Sequence, residues 1–173
     1  MKKTIKLFIG LFMLASISAV SAQNYKHSIG VTFGTLNGAS YKTFFSENLA
    51  LKADLALYKY TVPGGGRAGW GWLGYIGTLE LNPNLLYQKN ISSWDWGNLD
   101  WYVGGGVSLG YAYWRVCGKF GVNASGGVEL ALSKIPLAFD FDFRPGYGML
   151  FDAANTQHYF DWGLAWSVRY CFK

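Results

Sequence analysis

From residue 27 onward the chain alternates apolar and small or polar residues with a period of two, and it does so in bursts. The stretch LAFDFDFRPGYG (137–148) is the sharpest case. Leu137, Phe139, Phe141 and Phe143 share one parity, and Ala138, Asp140, Asp142 and Arg144 share the other. Alternation of this kind is the signature of a strand with two unlike faces. Bursts bounded by turn residues predict eight strands, over about 27–35, 39–45, 49–60, 72–88, 100–114, 121–132, 137–148 and 158–172. The predicted connections are Asn37-Gly38, Ser46-Glu47-Asn48, VPGGGRAGWG (62–71), a long NISSWDWGN turn (90–98), RVCGKF (115–120), Ser133–Pro136 and LFDAANTQ (150–157). No segment has a helical period. Eight strands with no helix to cover a sheet imply closure into a barrel, because closure removes the edges.

Sorting the strand residues by parity decides which face is inside. One face carries the aromatics and large aliphatics, among them Phe33, Tyr41, Leu55, Trp101, Phe139, Phe141, Trp162, Trp166, Tyr170 and Phe172. The other is built of Gly, Ala and Ser, and holds Lys42, Lys52, Asp54, Glu80, Glu129, Asp140, Asp142, Arg144, Asp161 and Arg169. An eight-stranded barrel has an interior just wide enough for side chains to fill. Small residues and a few charges fit that lumen; a full set of aromatics does not. The large apolar face therefore points outward, which requires lipid, and strands of this length cross a bilayer when tilted. The expected fold is all-β: a closed eight-stranded antiparallel up-and-down transmembrane β-barrel, apolar outside, with a small and charged lumen. The alternative arrangement, a soluble calyx with the aromatics inside, would leave a Gly-rich, thinly charged exterior.

The N-terminus supports export. MKKTIK is a basic stretch, LFIGLFMLASISAV an apolar one, and Val20 and Ala22 suit a cleavage site, which predicts a signal peptide over 1–22 and one barrel domain over 23–173. The full chain has 15 basic and 10 acidic residues. Removing Lys2, Lys3 and Lys6 leaves 12 against 10, a net charge near +2, so the basic precursor gives no reason to expect a nucleic-acid partner. Cys117 and Cys171 are too few for a disulfide framework, and they are predicted at opposite ends of the barrel, too far apart to bridge.

Candidate chemistry is sparse. The two histidines, His27 and His158, are predicted at opposite rims, and neither has a nucleophile at a suggestive spacing. Asp152, Asn155 and Thr156 near His158 read as loop residues. Gly64-Gly65-Gly66-Arg67 lacks the Gly-Lys-Ser/Thr ending and the helix of a phosphate loop. Arg67, Trp70 and Trp72 could touch lipopolysaccharide, but aromatic residues are expected at membrane interfaces in any case. No catalytic, cofactor or metal site is expected. The candidate site is the lumen, where six acids and four bases are near enough to balance for mutual pairing, whereas a selective pore shows a ring of one sign.

The stretches GASYKTFFSENLALKADLALY (38–58), LDWYVGGGVSLGYA (99–112), GVNASGGVELALSKIPLAFDFDFRPGYG (121–148) and WSVRYCFK (166–173) resemble the small eight-stranded outer-membrane barrels of Gram-negative bacteria. The likeness is to the OmpA/OmpX transmembrane-domain type and, within it, to a functionally uncharacterised group. It implies an outer-membrane location, with both termini and the short turns in the periplasm. It also implies contact with outer-membrane lipid and lipopolysaccharide, delivery by the barrel-assembly machinery, and a monomer. Tyr170 and Phe172 fall where such barrels carry their C-terminal insertion signal; here Phe172 is penultimate and Lys173 follows. The expected function is non-enzymatic, in envelope integrity or surface contact through the loops. The alternatives are a small pore or hydrophobic-ligand carrier, and a lipid A-modifying enzyme.

Overall fold

The computed structural model describes residues 25–61, 75–112, 117–151 and 156–173. They form eight strands: β1 His27–Gly34, β2 Leu36–Phe44, β3 Leu49–Thr61, β4 Tyr75–Trp94, β5 Gly97–Ala112, β6 Cys117–Leu132, β7 Leu137–Phe151 and β8 Thr156–Phe172. Each pairs antiparallel with the next, and β1 pairs with β8 from His27↔Phe172 to Gly34↔Ala165, so the barrel is closed in chain order. Both chain ends lie at one rim, the terminal end, with the turns at 45–48, 95–96 and 133–136. The opposite rim is the loop end.

The faces follow the alternation. On β7, Phe141 is 53% exposed while Asp142 is fully buried. The same pattern puts Ile29, Leu55, Leu81, Val122, Trp162, Trp166 and Tyr170 outside and Ser28, Lys52, Glu80, Glu129 and Arg169 inside.

Three expectations about connections change. Asn37-Gly38 is not the first turn but part of β2, where Gly38 pairs with Thr32 and Ala56. The chain reverses at Gly34-Thr35. Gly34 takes a positive φ of 116°, and the Asn37 side chain closes the turn by donating to the Gly34 carbonyl at 3.0 Å. The long turn expected over 90–98 is a two-residue turn at Asp95-Trp96, because β4 and β5 stay paired out to Trp94↔Gly97 around a bulge at Ile91. The bulge breaks the period of two, which is why the segment does not read as a strand. Residues 117–120, 150–151 and 156–157, expected in loops, are strand. The 62–71 loop with Arg67 and Trp70, and also Trp72, Asp152 and Asn155, lie outside the described residues.

The wall is uneven in two ways. The β1–β2 hairpin stops early: Thr35 donates its backbone N–H to the Leu164 carbonyl and accepts from the Leu164 N–H, each at 2.9 Å. Above it β8 continues from Gly163 to Thr156, paired to β7 but not to β1, leaving a notch beside β8. The ladders are also interrupted at the two strand prolines. β4–β5 pairing skips from Leu81↔Leu109 to Asn84↔Gly106 at Pro83, and β6–β7 pairing skips from Asn123↔Gly146 to Gly126↔Phe143 near Pro145. Proline has no N–H for the ladder, and a closed barrel offers no edge strand on which to hide it.

Glycines make room for the few aromatics that point inward. A Cβ on Gly127 would meet the Tyr102 ring and hydroxyl, and one on Gly121 or Gly148 would meet the Tyr159 hydroxyl. Tyr102 is 2% exposed, so its bulk occupies space that the glycine leaves.

Two substitutions test the facing. Phe141→Leu should refold into lipid vesicles like the parent, because lipid requires apolarity rather than shape. Phe141→Arg should cost about 2–4 kcal/mol if near the midplane, measured by denaturant titration in vesicles. Gly127→Leu should reduce folding yield through collision with Tyr102 despite adding apolar surface. Normal folding of Phe141→Arg with failure of Phe141→Leu would reverse the faces.

Candidate functional site: the charged lumen

Eight side chains in the lumen form an unbroken chain of ion pairs in which the sign alternates at every step. Lys42 reaches Glu129 at 2.9 Å. Glu129 pairs with Arg169, and Arg169 with Asp140. Asp140 pairs with Lys52 at 3.2 Å, and Lys52 with Asp142 at 2.7 Å. Asp142 then pairs with Arg144, and Arg144 with Asp54 at 2.6 Å. The four cations and four anions are essentially inaccessible to solvent.

Strand order explains the arrangement. Lys42 on β2 lies directly opposite Lys52 on β3, and Glu129 on β6 directly opposite Asp140 on β7. Like charges facing each other across two strands are unfavourable. In a ring of eight, however, β2 and β3 stand across the lumen from β6 and β7. The cationic wall therefore meets the anionic wall, and each unfavourable neighbour pair is resolved from the far side. Arg169 on β8 bridges Glu129 and Asp140, and Arg144 bridges Asp142 and Asp54.

Neutral groups complete the plug toward the terminal end. Tyr25, which precedes β1, turns into the lumen, packs edge-on against Phe44 and donates to Glu129 at 2.6 Å. Burial, and next the Glu129 carboxylate, hold its phenol well above the ordinary range, so it remains a neutral donor. Gln88 donates to Glu129 at 2.9 Å and to Asp100 at 2.8 Å, and accepts from Lys42. Tyr102 donates to Asp142 at 3.1 Å.

A second, smaller cluster sits nearer the loop end. Lys119 pairs with Glu80, and its ammonium lies 4.8 Å from the centre of the Tyr159 ring. Thr78 also donates to Glu80. Between the clusters, Asn82, Asn84, Ser108 and Asn123 form a hydrogen-bonded amide and hydroxyl group beside a cavity of about 40 Å³.

Of the ten predicted lumen residues, eight form the chain. Glu80 belongs to the separate Lys119 pair, and Asp161 lines the cavity without joining either cluster. Sequence reasoning missed Tyr25, Gln88, Asp100, Tyr102 and Lys119. Asp100, Tyr102 and Gln88 have the inward parity; Lys119 was hidden by starting β6 too late, at 121 rather than at Cys117. Tyr170 and Phe172 lie exposed on the outer face of β8, at the terminal end. His27 and His158 are also on the outer face, near opposite rims. His27 Nδ1 is 3.0 Å from both the Tyr41 and Thr43 hydroxyls, and His158 Nδ1 is 3.0 Å from the Tyr147 hydroxyl. Among the described residues, no group of three or more His, Cys, Asp or Glu side chains is placed to hold a metal ion. The backbone of Cys117 starts β6 at the loop end, and Cys171 pairs with Ser28 at the terminal end.

Removing one member of the chain should be costly. Arg169→Leu strands Glu129 and Asp140 together, and the loss of a buried partner costs about 3–5 kcal/mol. Tyr25→Phe removes one hydrogen bond to a charged acceptor, a change of about 1.5–3 kcal/mol. Unfolding in urea with vesicle-embedded protein should rank the first variant well below the second. Equal stability of Arg169→Leu and the parent would mean that the carboxylates are not held by the arginine.

No family model and no curated protein matches the chain. Among solved structures, it is similar to the outer membrane protein W of E. coli, determined in solution by NMR. The identity is 13%, the match covers 87% of this chain and all of the other, and the TM-score is 0.45.

Proposed function

We propose that this chain is a non-enzymatic barrel of the bacterial outer membrane. Its terminal end faces the periplasm, and its loop end serves envelope integrity or surface contact. It acts as a monomer embedded in outer-membrane lipid and lipopolysaccharide, is delivered by the barrel-assembly machinery, and requires no cofactor. The observation that carries this reading is the combination of an exposed apolar wall with a lumen filled by paired charge. An apolar exterior of Phe141, Trp162, Leu164 and Trp166 suits acyl chains and does not suit water. The alternating ion chain, with Tyr25 and Tyr102 packed against it, leaves the terminal half of the lumen occupied. That favours a plugged scaffold over a conducting pore. The described partners of the two histidines are the hydroxyls of Tyr147, Tyr41 and Thr43, with no serine or carboxylate beside either ring, which gives no support to a lipid A-modifying enzyme.

Expressed with its leader, the protein should fractionate with outer membranes and migrate faster on a gel before boiling than after, because closed barrels keep every strand paired until heated. Purified and inserted into planar bilayers at neutral pH, it should give no stepwise current. Recovery as a soluble periplasmic protein would refute the membrane reading. Reproducible unitary conductance would replace the scaffold with a pore.

A further inference from the structure

Above the short β1–β2 hairpin, β8 has a bare edge. In a strand the N–H and C=O of one residue point to the same side, and alternate residues share that side. Leu164 turns both groups toward β1, where Thr35 satisfies them. Trp162, Phe160 and His158 follow at alternate positions, so their backbone groups face the notch. Pro145 fits the same phase: it has no N–H, yet it sits opposite Trp162 without interrupting the β7–β8 ladder, as a pair that exchanges no hydrogen bond allows. Among the described residues, no strand pairs with Trp162, Phe160 or His158 on the notch side.

The depth of this edge decides what suits it. Ala165 lies midway on β8 between His158 and Phe172, which is the level of His27 at the other rim. At about 3.3 Å per residue and a tilt of about 40°, Trp162 stands about 8 Å and Phe160 about 13 Å above that midpoint. An apolar band about 25 Å tall centred there contains Trp162 and ends at Phe160. Their side chains are 65% and 56% exposed and continue the apolar wall, with Phe33 stacked on Trp166 below. Unpaired backbone groups are costly in hydrocarbon. The occupant must therefore bring acyl chains together with groups that both donate and accept. Phospholipid esters accept but do not donate, which leaves the β8 carbonyls unmet. Water does both but offers no apolar surface to the two rings. Amide-linked, hydroxylated acyl chains supply both kinds of group at the top of the apolar layer.

We propose that the bare edge of β8 docks a lipid of the lipid A class, its acyl amide and hydroxyl groups pairing with the backbone of Trp162 and Phe160 while its chains cover their rings. The inference rests on the outer-membrane reading with the loop end outward. The test uses the full barrel, ¹⁵N-labelled and refolded into phosphatidylglycerol vesicles with and without lipid A, and follows amide hydrogen exchange. Lipid A should slow exchange at Trp162 and Phe160 at least tenfold. Asp161 and Gly163, whose amides face β7, should be protected in both vesicles and serve as the internal reference. Phe160→Pro removes one notch-facing N–H and leaves the β7 ladder intact. It should raise the lipid A content needed to half-protect Trp162 roughly tenfold, whereas Phe160→Leu, which keeps the N–H, should not change it. Neither variant touches the ion chain, so both should retain heat-modifiable mobility. A parent barrel that fails to insert into either vesicle would refute the membrane reading itself. A barrel that inserts but exchanges Trp162 and Phe160 equally fast in both vesicles would overturn this proposal, because the notch would then hold water. Equal protection in both vesicles would overturn it as well, as would protection that depends on barrel concentration, which would indicate a second chain on the edge.

Discussion

The lumen charges can be satisfied only by closing the ring. Locally, each charged hairpin is at odds with itself: β2–β3 sets Lys42 against Lys52, and β6–β7 sets Glu129 against Asp140. An isolated hairpin keeps these groups hydrated or repelling. Bringing opposite walls together replaces repulsion with the chain Lys42–Glu129–Arg169–Asp140–Lys52–Asp142–Arg144–Asp54. The attraction is strong where water is excluded, but so is the desolvation cost. The net effect is specificity of register more than gross stability. A two-residue slip of β7 keeps every side chain on its proper face and yet misplaces the ion pairs of Asp140, Asp142 and Arg144. A one-residue slip reverses the faces altogether.

That constraint also accounts for the composition of the interior. Lys and Arg side chains must span the lumen to reach their acids, so the wall around them is kept small with Ser40, Ala50, Ala56, Ala138 and Gly127. The inward tyrosines sit where glycine opens space or where a hydroxyl can join the charges, as Tyr25 and Tyr102 do. The outward face answers to a looser rule. Phe33 stacks on Trp166 and Phe143 on Trp162, yet these rings remain exposed and need only an apolar surrounding. The barrel therefore has a closely specified interior and a permissive exterior, the reverse of most soluble β proteins.

This division explains what was legible in the sequence. The run of Phe139, Phe141 and Phe143 against Asp140, Asp142 and Arg144 announces both the strand and its facing, because a period of two cannot be hidden. Near-balance of charge announces pairing. What alternation cannot convey is which acid meets which base, since the partners are 87 residues apart for Lys42 and Glu129 and 88 for Lys52 and Asp140. Nor does it reveal features that break the period. The bulge at Ile91 disguised the end of β4, and Asn37-Gly38 has hairpin chemistry but sits two residues beyond the actual turn, where Asn37 braces Gly34 from within β2. Tyr25 precedes the first strand, where alternation assigns no face, and the cavity depends on side chains contributed by several strands.

The structure encloses the charged face of β7 and turns its phenylalanine face outward, which in a membrane places that face against lipid. Site-directed nitroxide labelling tests it most directly, with both native cysteines replaced and single labels placed at successive positions from 139 to 143 in vesicle-embedded protein. Collision with oxygen, which concentrates in lipid, and with a water-soluble nickel chelate should alternate along the strand. Labels at 139, 141 and 143 should be accessible to oxygen and shielded from nickel, and those at 140 and 142 shielded from oxygen. High oxygen accessibility at 140 and 142, with 141 shielded, would contradict the account.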